Sequence, residues 1–285
     1  MYSKRRVILT LAFLTLCAVS FWIYWSNTVL ELNKYTIVSE KIPNSFDGFR
    51  IAHVSDLHNA EIGDNNVVLL NILRQSEPDI IAITGDLIDS RNTNIDVALQ
   101  FAEQASQIAP CYYVTGNHEA RTGEYRELQK GLMALGITVL EDQRMKLEKS
   151  GESITLLGIN DPSFQTNDLF GDAQSITHYK LQMLVQNEAG YTILLSHRPE
   201  LFDIYQKNDI DLILSGHAHG GQFRIPFVGG LIAPNQGFFP KYDAGLYTEQ
   251  DTNMIVSRGI GNSIIPFRIN NRPEAILIEL SKPNI

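Results

Sequence analysis

The chain has 285 residues, 44% of them hydrophobic and 19% charged, and its formal net charge is −9. Such a chain is long enough to bury a substantial core, and its acidic balance argues against a non-specific nucleic-acid binder, which usually carries a basic face. We therefore expect no nucleic-acid partner, whereas a phosphate-bearing substrate stays open because bound metal cations supply positive charge locally.

The chain begins with a segment typical of a membrane anchor. A basic cluster at residues 4–6 precedes an uncharged run over residues 7–25, which is long enough to cross a bilayer as a helix. The far end of the run carries aromatic residues of the kind found at membrane interfaces, namely Trp22, Tyr24 and Trp25. The basic cluster should stay in the cytoplasm. We therefore predict that residues 1–27 form an uncleaved, single-pass anchor in the cell membrane and that residues 28–285 form one extracytoplasmic domain.

Three other interpretations of this segment stay open. A cleaved signal peptide is disfavoured because the apolar run is long and no small-x-small site follows it. Arg5-Arg6-Val7-Ile8-Leu9 partly matches a twin-arginine export signal. A buried core helix is disfavoured because the apolar character continues all round the helix.

Apolar runs and helical patterns alternate up to about residue 135. The predicted strands are an edge strand at Tyr35–Val38, then Phe49–Ser55, Ile80–Thr84 and Cys111–Thr115. The predicted helices are Asp64–Gln75, capped by Asp64 with a buried stripe of Val67, Leu70, Ile72 and Leu73, then Thr93–Ile108, capped by Thr93, and Thr122–Leu135. One cysteine, Cys17, lies in the N-terminal run and the other, Cys111, begins a predicted strand, so we expect no disulfide.

The second half of the chain contains shorter elements. A hairpin is predicted from Met145–Glu148 and Ile154–Ile159, a helix from about 175 to 187, and a short helix after Pro199. Further predicted strands are Thr192–Ser196, Leu212–Leu214, Ile255–Val256 and Ala275–Leu280. The turn-rich stretch Ile225–Asp251 is predicted to be an ordered loop at the rim of a site. This alternation predicts an α/β fold with helices packed on sheets.

Five short polar motifs directly follow predicted strands. They are Ser55-Asp56-Leu57-His58, Gly85-Asp86, Gly116-Asn117-His118-Glu119, Ser196-His197 and Gly216-His217-Ala218-His219-Gly220-Gly221. Ligand sites in α/β proteins form at the carboxyl ends of strands, so we expect the motifs to converge on one pocket. Each motif alone is weak, because an Asp after a strand is usually a turn or a helix cap. Five of the seven histidines nevertheless fall in them; His53 is expected in the core and His178 on the surface.

The residue types in these motifs predict metal binding. Carboxylate, imidazole and amide oxygen suit Mn, Fe, Zn, Co or Ni, and the lack of thiolates argues against a structural zinc site of the cysteine type. One ion rarely needs so many ligands, whereas two divalent ions that share a carboxylate, about 3.5–4 Å apart, account for the number. The predicted ligands are Asp56, His58, Asp86, Asn117, His197, His217 and His219.

In this order the motifs resemble those of the calcineurin-like metallophosphoesterases, from about residue 49 to the end. The sequence is similar in particular to the bacterial membrane-associated branch that includes YkuE, YaeI and the UDP-2,3-diacylglucosamine hydrolases. The stretches that carry this likeness are 216–222, Phe223-Arg224-Ile225-Pro226, Val256-Ser257-Arg258-Gly259-Ile260-Gly261 and Arg272-Pro273-Glu274. Asn59 departs from the small hydrophobe and glycine that many relatives carry after this histidine.

The resemblance implies a four-layer α/β/β/α sandwich after the membrane helix, and it implies roles for the ligands. One metal takes Asp56, His58 and His219, the other takes Asn117, His197 and His217, and Asp86 bridges them. A hydroxide between the metals would attack phosphorus, with His118 as general acid or phosphate-positioning group. Two carboxylates are candidate partners for the ligand imidazoles, Asp79 and Glu119. Three arginines are candidates for phosphate binding, Arg224, Arg258 and Arg268.

The anchor favours a phosphodiesterase or pyrophosphatase that acts on an envelope or lipid-linked substrate, because it confines the site near the bilayer. A UDP-2,3-diacylglucosamine-like substrate is one such candidate, although relatives cleave it on the cytoplasmic side, in conflict with the predicted topology. The alternatives are an extracytoplasmic phosphomonoesterase or nucleotidase and, from another class, a non-catalytic metal-dependent binding protein.

Overall fold

A computed structural model describes residues 2–165, 172–186, 188, 190–262 and 264–283. In these residues the helices are α1 (Tyr2–Thr28), α2 (Val67–Ser76), α3 (Ile95–Ser106), α4 (Asn117–Arg121), α5 (Tyr125–Ala134), α6 (Ala173–Val185) and α7 (Phe202–Gln206). The strands are β1 (Glu31–Val38), β2 (Phe49–Val54), β3 (Ile80–Thr84), β4 (Cys111–Val114), β5 (Thr138–Val139), β6 (Gln143–Lys149), β7 (Glu152–Gly158), β8 (Thr192–Leu195), β9 (Leu212–Ser215), β10 (Arg224–Ile225), β11 (Gly229–Gly230), β12 (Ile232–Ala233), β13 (Gly237–Phe238), β14 (Gly245–Glu249), β15 (Thr252–Val256) and β16 (Glu274–Ser281).

Most of these strands belong to two sheets. Within the described ranges the first sheet has the order β1-β16-β2-β3-β4-β5 and the second the order β14-β15-β9-β8-β7-β6. Strands β2 to β5 run parallel in the first sheet, and β7, β8, β9 and β15 run parallel in the second. The carboxyl ends of the central strands therefore share an edge in each sheet.

Side chains of the central strands alternate between two apolar cores. On β3, Ile81 and Ile83 pack with the core residues of α2, α3 and α5, whereas Ile80 and Ala82 pack with residues of the second sheet. A third core lies between the second sheet and helices α6 and α7, where Leu194 and other residues pack. Both faces of both sheets are thus covered, which explains the continuous apolar runs of the strands. The predicted four-layer α/β/β/α sandwich is confirmed.

Several predicted boundaries and one predicted helix face need correction. Helix α2 begins at Val67 rather than Asp64, because Asn65 and Asn66 have left-handed backbone conformations. Its buried face consists of Leu69, Leu70, Leu73 and Ser76. Val67 is 46% exposed, since it lies about 130° round the helix from the centre of that face. The side chain of Asn94, not that of Thr93, accepts the capping hydrogen bond of α3, which comes from the N–H of Val97.

Other predicted elements are confirmed in part. The predicted hairpin forms as the antiparallel pair β6–β7. The predicted helix 122–135 is shorter, since α5 begins at Tyr125, and a separate short helix, α4, begins at Asn117. The helix predicted from about 175 to 187 is α6, although residue 187 itself lies outside the described residues. The stretch 225–251 is ordered but is not only a loop, because β10 to β13 form two small hairpins and β14 pairs with β15.

Helix α1 projects from the sandwich. An 18-residue apolar window within Lys4–Thr28 has a mean hydropathy of 2.2 and is 0% buried, so the helix is long and apolar enough to cross a membrane. The interpretation as a buried core helix is therefore wrong. Cys17 is exposed on α1 and Cys111 is buried, and both are free, as predicted.

Candidate metal centre

The predicted ligands lie where the strand ends of the two sheets meet. Strands β2, β3 and β4 of the first sheet lead into the loops of Asp56, Asp86 and Asn117. Strands β8 and β9 of the second sheet lead into those of His197 and His217. All seven predicted ligands are buried. The sequence therefore folds so that side chains more than 160 positions apart share one small volume.

The first group of ligand atoms comes from Asp56, His58 and His219. Nε2 of His58 lies 3.2 Å from Nε2 of His219, and the latter lies 3.4 Å from Oδ1 of Asp56. Oδ1 of Asp56 is also 3.8 Å from Nε2 of His58. Two imidazole nitrogens and one carboxylate oxygen at these spacings match the ligand set of a single divalent cation.

The second group comes from Asp86, His197 and His217. Nε2 of His197 lies 3.1 Å from Oδ2 of Asp86 and 3.2 Å from Nδ1 of His217. A terminal amide atom of Asn117 lies 2.8 Å from the same Nδ1. A shared cation at this point would be bound by the amide oxygen, because an amide nitrogen has no free lone pair to offer.

Asp86 lies between the two groups. Its Oδ1 accepts a hydrogen bond of 2.8 Å from the N–H of His118. Its Oδ2 is 3.5 Å from Nε2 of His58 and 3.1 Å from Nε2 of His197, which belong to different groups. One carboxylate thus faces both sets of imidazoles, the position of a bridging ligand in a two-metal site.

The charges of the site favour cations. Burial alone would raise the pKa of Asp86, but the imidazoles of His197 and His58 hold it well below its ordinary value. Burial alone would lower the pKa of His197, but Asp86 and Asp56 raise it to about 10. The pKa of each partner therefore moves toward its charged form, as expected where negative oxygens surround a place for positive charge.

The remaining two imidazoles of the second sheet are neutral. Burial lowers the pKa of His219 to about 3, and burial together with Arg198 lowers that of His217 well below its ordinary value. Nδ1 of His197 lies 2.7 Å from the carbonyl oxygen of Thr84, to which it donates. This hydrogen bond directs Nε2 of His197 toward the site, a support that metal-binding histidines commonly have.

The backbone of the ligand loops is strained. Positive φ values between 47° and 66° occur at five of the predicted ligands, Asp56, His58, Asp86, His217 and His219. Residues other than Gly rarely adopt this backbone conformation, which costs on the order of 1–3 kcal/mol for each residue. Gly216 leaves room for the loops, because a Cβ there would clash with Ser55 Oγ and Asp56 Oδ2. Such strain persists at sites where the side chains must converge.

His118 lies beside the two groups, and with His58 and Asp86 it forms a third cluster of potential ligand atoms. Its ring centroid is 4.5 Å from that of His58 in an edge-on arrangement. Its Nδ1 accepts a hydrogen bond of 3.0 Å from the N–H of Ser90, so the neutral ring carries its proton on Nε2. Burial lowers the pKa of His118, which keeps the ring neutral near pH 7.

The structure contradicts the roles predicted for two carboxylates. Asp79 lies at the amino end of β3, away from the site, and accepts a hydrogen bond from the N–H of Arg50. Glu119 is near the site but contacts backbone instead of imidazoles. Its carboxylate accepts hydrogen bonds from the N–H groups of Asp86 at 2.9 Å and Gly116 at 2.7 Å. Glu119 therefore supports the two ligand loops, because these N–H groups have no partner in a strand.

The three predicted phosphate-binding arginines have protein partners. Arg224 pairs with Asp243 at 3.0 Å, and Arg258 pairs with Glu274 at 2.8 Å. Arg268 is fully buried and donates to the carbonyl of Gly261 and to Asn262. Burial lowers the pKa of Arg268 to about 10. These contacts tie loops together, so the structure gives the three arginines positions in the framework around the site.

Sequence reasoning missed Arg198, which contacts the site directly. Its Nη1 lies 3.1 Å from Nε2 of His217, and its Nη2 donates to Asp161 at 2.9 Å. Nδ2 of Asn235 lies 3.2 Å from the same Nε2. A cavity of about 530 Å³ opens here, lined among others by Arg121, Ser163, Arg198, Glu200 and Asn235. The position of Arg198 in the sequence could have identified it, because this residue immediately follows the predicted ligand His197.

The two histidines outside the motifs occupy different surroundings. His53 is fully buried in β2, with Nε2 2.7 Å from Oγ1 of Thr84, so its predicted place in the core is confirmed. His178 is half-buried on α6 rather than fully on the surface, because Nδ1 accepts a hydrogen bond from Asn208 at 3.0 Å.

Known proteins share this sequence pattern and fold. A model of the calcineurin-like phosphoesterase family matches residues 49–221. The metallophosphoesterase YkuE of Bacillus subtilis (strain 168) is 31% identical over 270 residues, covering 92% of this chain and 89% of YkuE. The phosphodiesterase YaeI of Escherichia coli (strain K12) is 28% identical over 240 residues, covering 81% and 82%. The solved structure of the NAD nucleotidase NadN of Haemophilus influenzae has a TM-score of 0.51 at 18% identity, covering 74% of this chain and 45% of NadN, a likeness of fold alone.

Proposed function

Because the chain belongs to the calcineurin-like phosphoesterase family, we propose that it is a phosphodiesterase or pyrophosphatase that acts on an envelope or lipid-linked substrate. Membership makes it a metal-dependent phosphoesterase, and the clusters of histidine and carboxylate indicate a dinuclear metal site. An enzyme is therefore favoured over a non-catalytic binding protein. A UDP-2,3-diacylglucosamine-like molecule remains one candidate substrate.

The proposed ligand sets follow the two groups of atoms. Asp56, His58 and His219 would hold one divalent ion, and Asn117, His197 and His217 the other. The carrying observation is the position of Asp86, whose Oδ2 lies 3.5 Å from one set and 3.1 Å from the other. Nitrogen and oxygen ligands of this kind accept Mn, Fe, Zn and similar ions, so we propose two divalent ions without choosing among these metals.

The chemistry divides between the ions and the protein. A pair of divalent ions, when bound, lowers the pKa of water to give a nucleophile and neutralises charge on the phosphoryl group. The protein orients His118, whose Nε2–H can donate a hydrogen bond to the leaving oxygen or to a phosphoryl oxygen. Arg198 presents positive charge to the adjoining cavity while Asp161 fixes its guanidinium. Such a fixed arginine suits contact with phosphate oxygens.

Two observations support a diester over a monoester. The cavity of about 530 Å³ beside His217 has room for a second substituent on the phosphate. The relative YaeI, which carries the name phosphodiesterase, aligns over 81% of this chain. A phosphomonoesterase or nucleotidase is the second candidate, and the two arginines that line the cavity, Arg121 and Arg198, support it because they suit a dianionic phosphate.

We also propose the arrangement in the membrane. Residues 1–27 anchor the protein in the cell membrane by a single pass, and residues 28–285 form the catalytic domain. The basic cluster at residues 4–6 supports an N-terminus in the cytoplasm and a catalytic domain outside. The anchor confines the site near the bilayer, where lipid-linked substrates are concentrated.

A substrate comparison tests the proposed reaction. The full chain, solubilised in detergent and supplied with Mn²⁺, is assayed with bis-p-nitrophenyl phosphate, p-nitrophenyl phosphate, pyrophosphate and a nucleotide sugar. We expect the diester or the pyrophosphate bonds to be cleaved with the higher kcat/KM, and we expect an Asp86→Ala variant to lose this activity. Asp47→Ala, a surface change, serves as control. Faster cleavage of the monoester would instead support the second candidate, and no cleavage of any substrate would contradict the proposal.

A further inference from the structure

We propose that exposed apolar loops beside the end of α1 form a second membrane-contacting surface, which holds the mouth of the metal centre against the bilayer. We call this surface the apolar rim, and it consists of Phe227, Val228, Phe238, Phe239, Ile264 and Phe267. The occupant is the bilayer in which α1 is embedded. This inference does not depend on which phosphoester the enzyme cleaves.

The exposure of the rim is unusual for side chains of this size. Phe227 is fully exposed at the tip of the β10–β11 hairpin, Phe238 is 71% exposed and Ile264 is 75% exposed. Water solvates such surface poorly, and a contiguous apolar patch on a protein usually marks a contact with another protein or a membrane. The exposed side chains of the rim therefore favour contact with an apolar partner.

The end of α1 is bonded to the segment that carries the rim. Asn27 donates to the carbonyl of Arg268 at 2.9 Å and accepts from its N–H at 2.8 Å. Ser26 is fully buried and its Oγ accepts from the N–H of Asn270 at 3.2 Å. The guanidinium of Arg272 stacks 4.6 Å from the Trp25 ring. Phe267 directly precedes Arg268, which is hydrogen-bonded to Asn27 of α1. This rim residue therefore lies beside the end of the membrane helix.

The same segment connects to the other rim loops. The N–H of Arg224 donates to the carbonyl of Ile269 at 3.0 Å, and the rings of Phe223 and Phe267 lie 5.4 Å apart. Arg224 begins β10, whose hairpin carries Phe227 at its tip. At about 3.3 Å per residue, the tip lies about 10 Å from this bond. The tip of this hairpin therefore stays within about 10 Å of a segment that is bonded to the end of α1, which supports a place for it at the membrane interface.

The rim also adjoins the metal centre. Asn271 donates to the carbonyl of His219, a proposed ligand, at 2.7 Å. An apolar groove of about 250 Å³ contacts both the rim and the metal centre, because Ile264 and His219 line it together with Ile232, Ala233, Pro234 and Ile265. Contact of the rim with the bilayer would therefore place this groove, and the metal centre behind it, at the level of the lipid headgroups.

The bilayer is favoured over a second copy of the chain because of the anchor. Asn27 and Ser26 of α1 are hydrogen-bonded to Arg268 and Asn270, in the segment that carries Phe267. Insertion of α1 therefore leaves this segment beside the membrane in every molecule, whatever its concentration. Arg272 stacks on Trp25 near the end of α1. Aromatic and arginine side chains are common at the membrane–water interface of membrane proteins.

Spin-label depth measurements test the proposal on the full chain in phosphatidylcholine vesicles. A nitroxide is placed by Phe227→Cys or Phe238→Cys in a Cys17→Ser background. Cys111 stays unlabelled because it is buried, and burial raises its thiol pKa to about 12. Met133→Cys, 60% exposed on α5, is the matched control, and a label on the native Cys17 reports insertion of α1.

We expect labels at positions 227 and 238 to collide more often with oxygen than with a water-soluble nickel chelate, as the Cys17 label does, and the label at 133 to show the reverse. With Cys17 in the bilayer, access of the nickel chelate to 227 and 238 equal to that at 133 would overturn the proposal. Protection of 227 and 238 from both reagents would also overturn it, because it would indicate a protein partner. Failure of hydrolysis in the substrate comparison would leave this result unaffected.

Discussion

The first sheet supplies both carboxylates and the amide of the candidate metal centre, Asp56, Asp86 and Asn117, with one imidazole, His58, whereas the second sheet supplies imidazoles alone, His197, His217 and His219. Each proposed metal takes ligands from both sheets. The site therefore exists only when the sheets are docked, and the apolar core between them, which includes Ile80 and Ile193, docks them without any ion. Packing between the sheets therefore positions the residues that carry the chemistry.

The largest expected effect comes from removing the carboxylate that faces both sheets' imidazoles. Asp86→Ala should reduce hydrolysis by about 10³-fold or more, because the nucleophile and the charge stabilisation of a metal pair are lost together. Metal content should fall with activity, as elemental analysis of the purified variant would measure. A variant that keeps both ions would show that the sheets are not joined through this residue.

A smaller effect is expected from His118, which faces the site without joining either proposed ligand set. His118→Ala should keep the metal content of the native protein but lower kcat by about 10²- to 10³-fold, the usual effect of removing one positioned hydrogen-bond donor. Elemental analysis and steady-state kinetics on the same preparation measure both quantities. Equal loss of metal in the His118 and Asp86 variants would refute the division of roles.

The contact between a loop of the second sheet and a ligand of the first can be disturbed more gently. Gly216→Ala adds a Cβ that clashes with Asp56 and Ser55, so metal affinity should fall by about 10- to 100-fold, as for other groups that support metal ligands. Gly123→Ala is the matched control, because a Cβ there meets no atom within 4 Å. Titration of metal into chelated protein would measure the difference. Equal affinities in the two variants would show that the loop adapts without cost.

The smallest expected effect concerns stability. Removing the ions with a chelator should lower the melting temperature by a few degrees, at about 2–4 °C per kcal/mol, because the apolar core still holds the sheets together. Hydrogen exchange should increase in the loops after β2, β3, β8 and β9 but not in the hairpin β6–β7. Faster exchange confined to the loops of one sheet would contradict the view that each ion contacts both sheets.

The parts of the fold that follow from apolar patterning were predictable. Strands such as Ile80–Thr84 are continuous apolar runs because both faces are buried, and the polar motifs directly follow them. The buried face of α2 was predicted correctly for Leu70 and Leu73 and wrongly for Val67. The start of this helix was also missed, because it follows two residues in left-handed conformation, Asn65 and Asn66. Such local backbone conformations leave little signal in a single sequence.

The candidate site was predictable in its residues but not in its supports. Imidazoles and carboxylates after strands indicate metal ligands through their chemistry, as for His197 and Asp86. Which residues hold them depends on tertiary distances, so Asp79 was placed wrongly, Glu119 was given the wrong partners, and Arg198 was missed. The positive φ values of Asp56 and His219 could not be predicted either, since they arise from the convergence of loops that are distant in the chain.

Anomalous diffraction from crystals of the full chain reconstituted with Mn²⁺ tests the central claim most directly. Two manganese peaks about 3.5–4 Å apart, with Oδ2 of Asp86 between them and imidazoles of both sheets around each, are the predicted result. A single peak, or two peaks bound by ligands of one sheet each, would contradict the account.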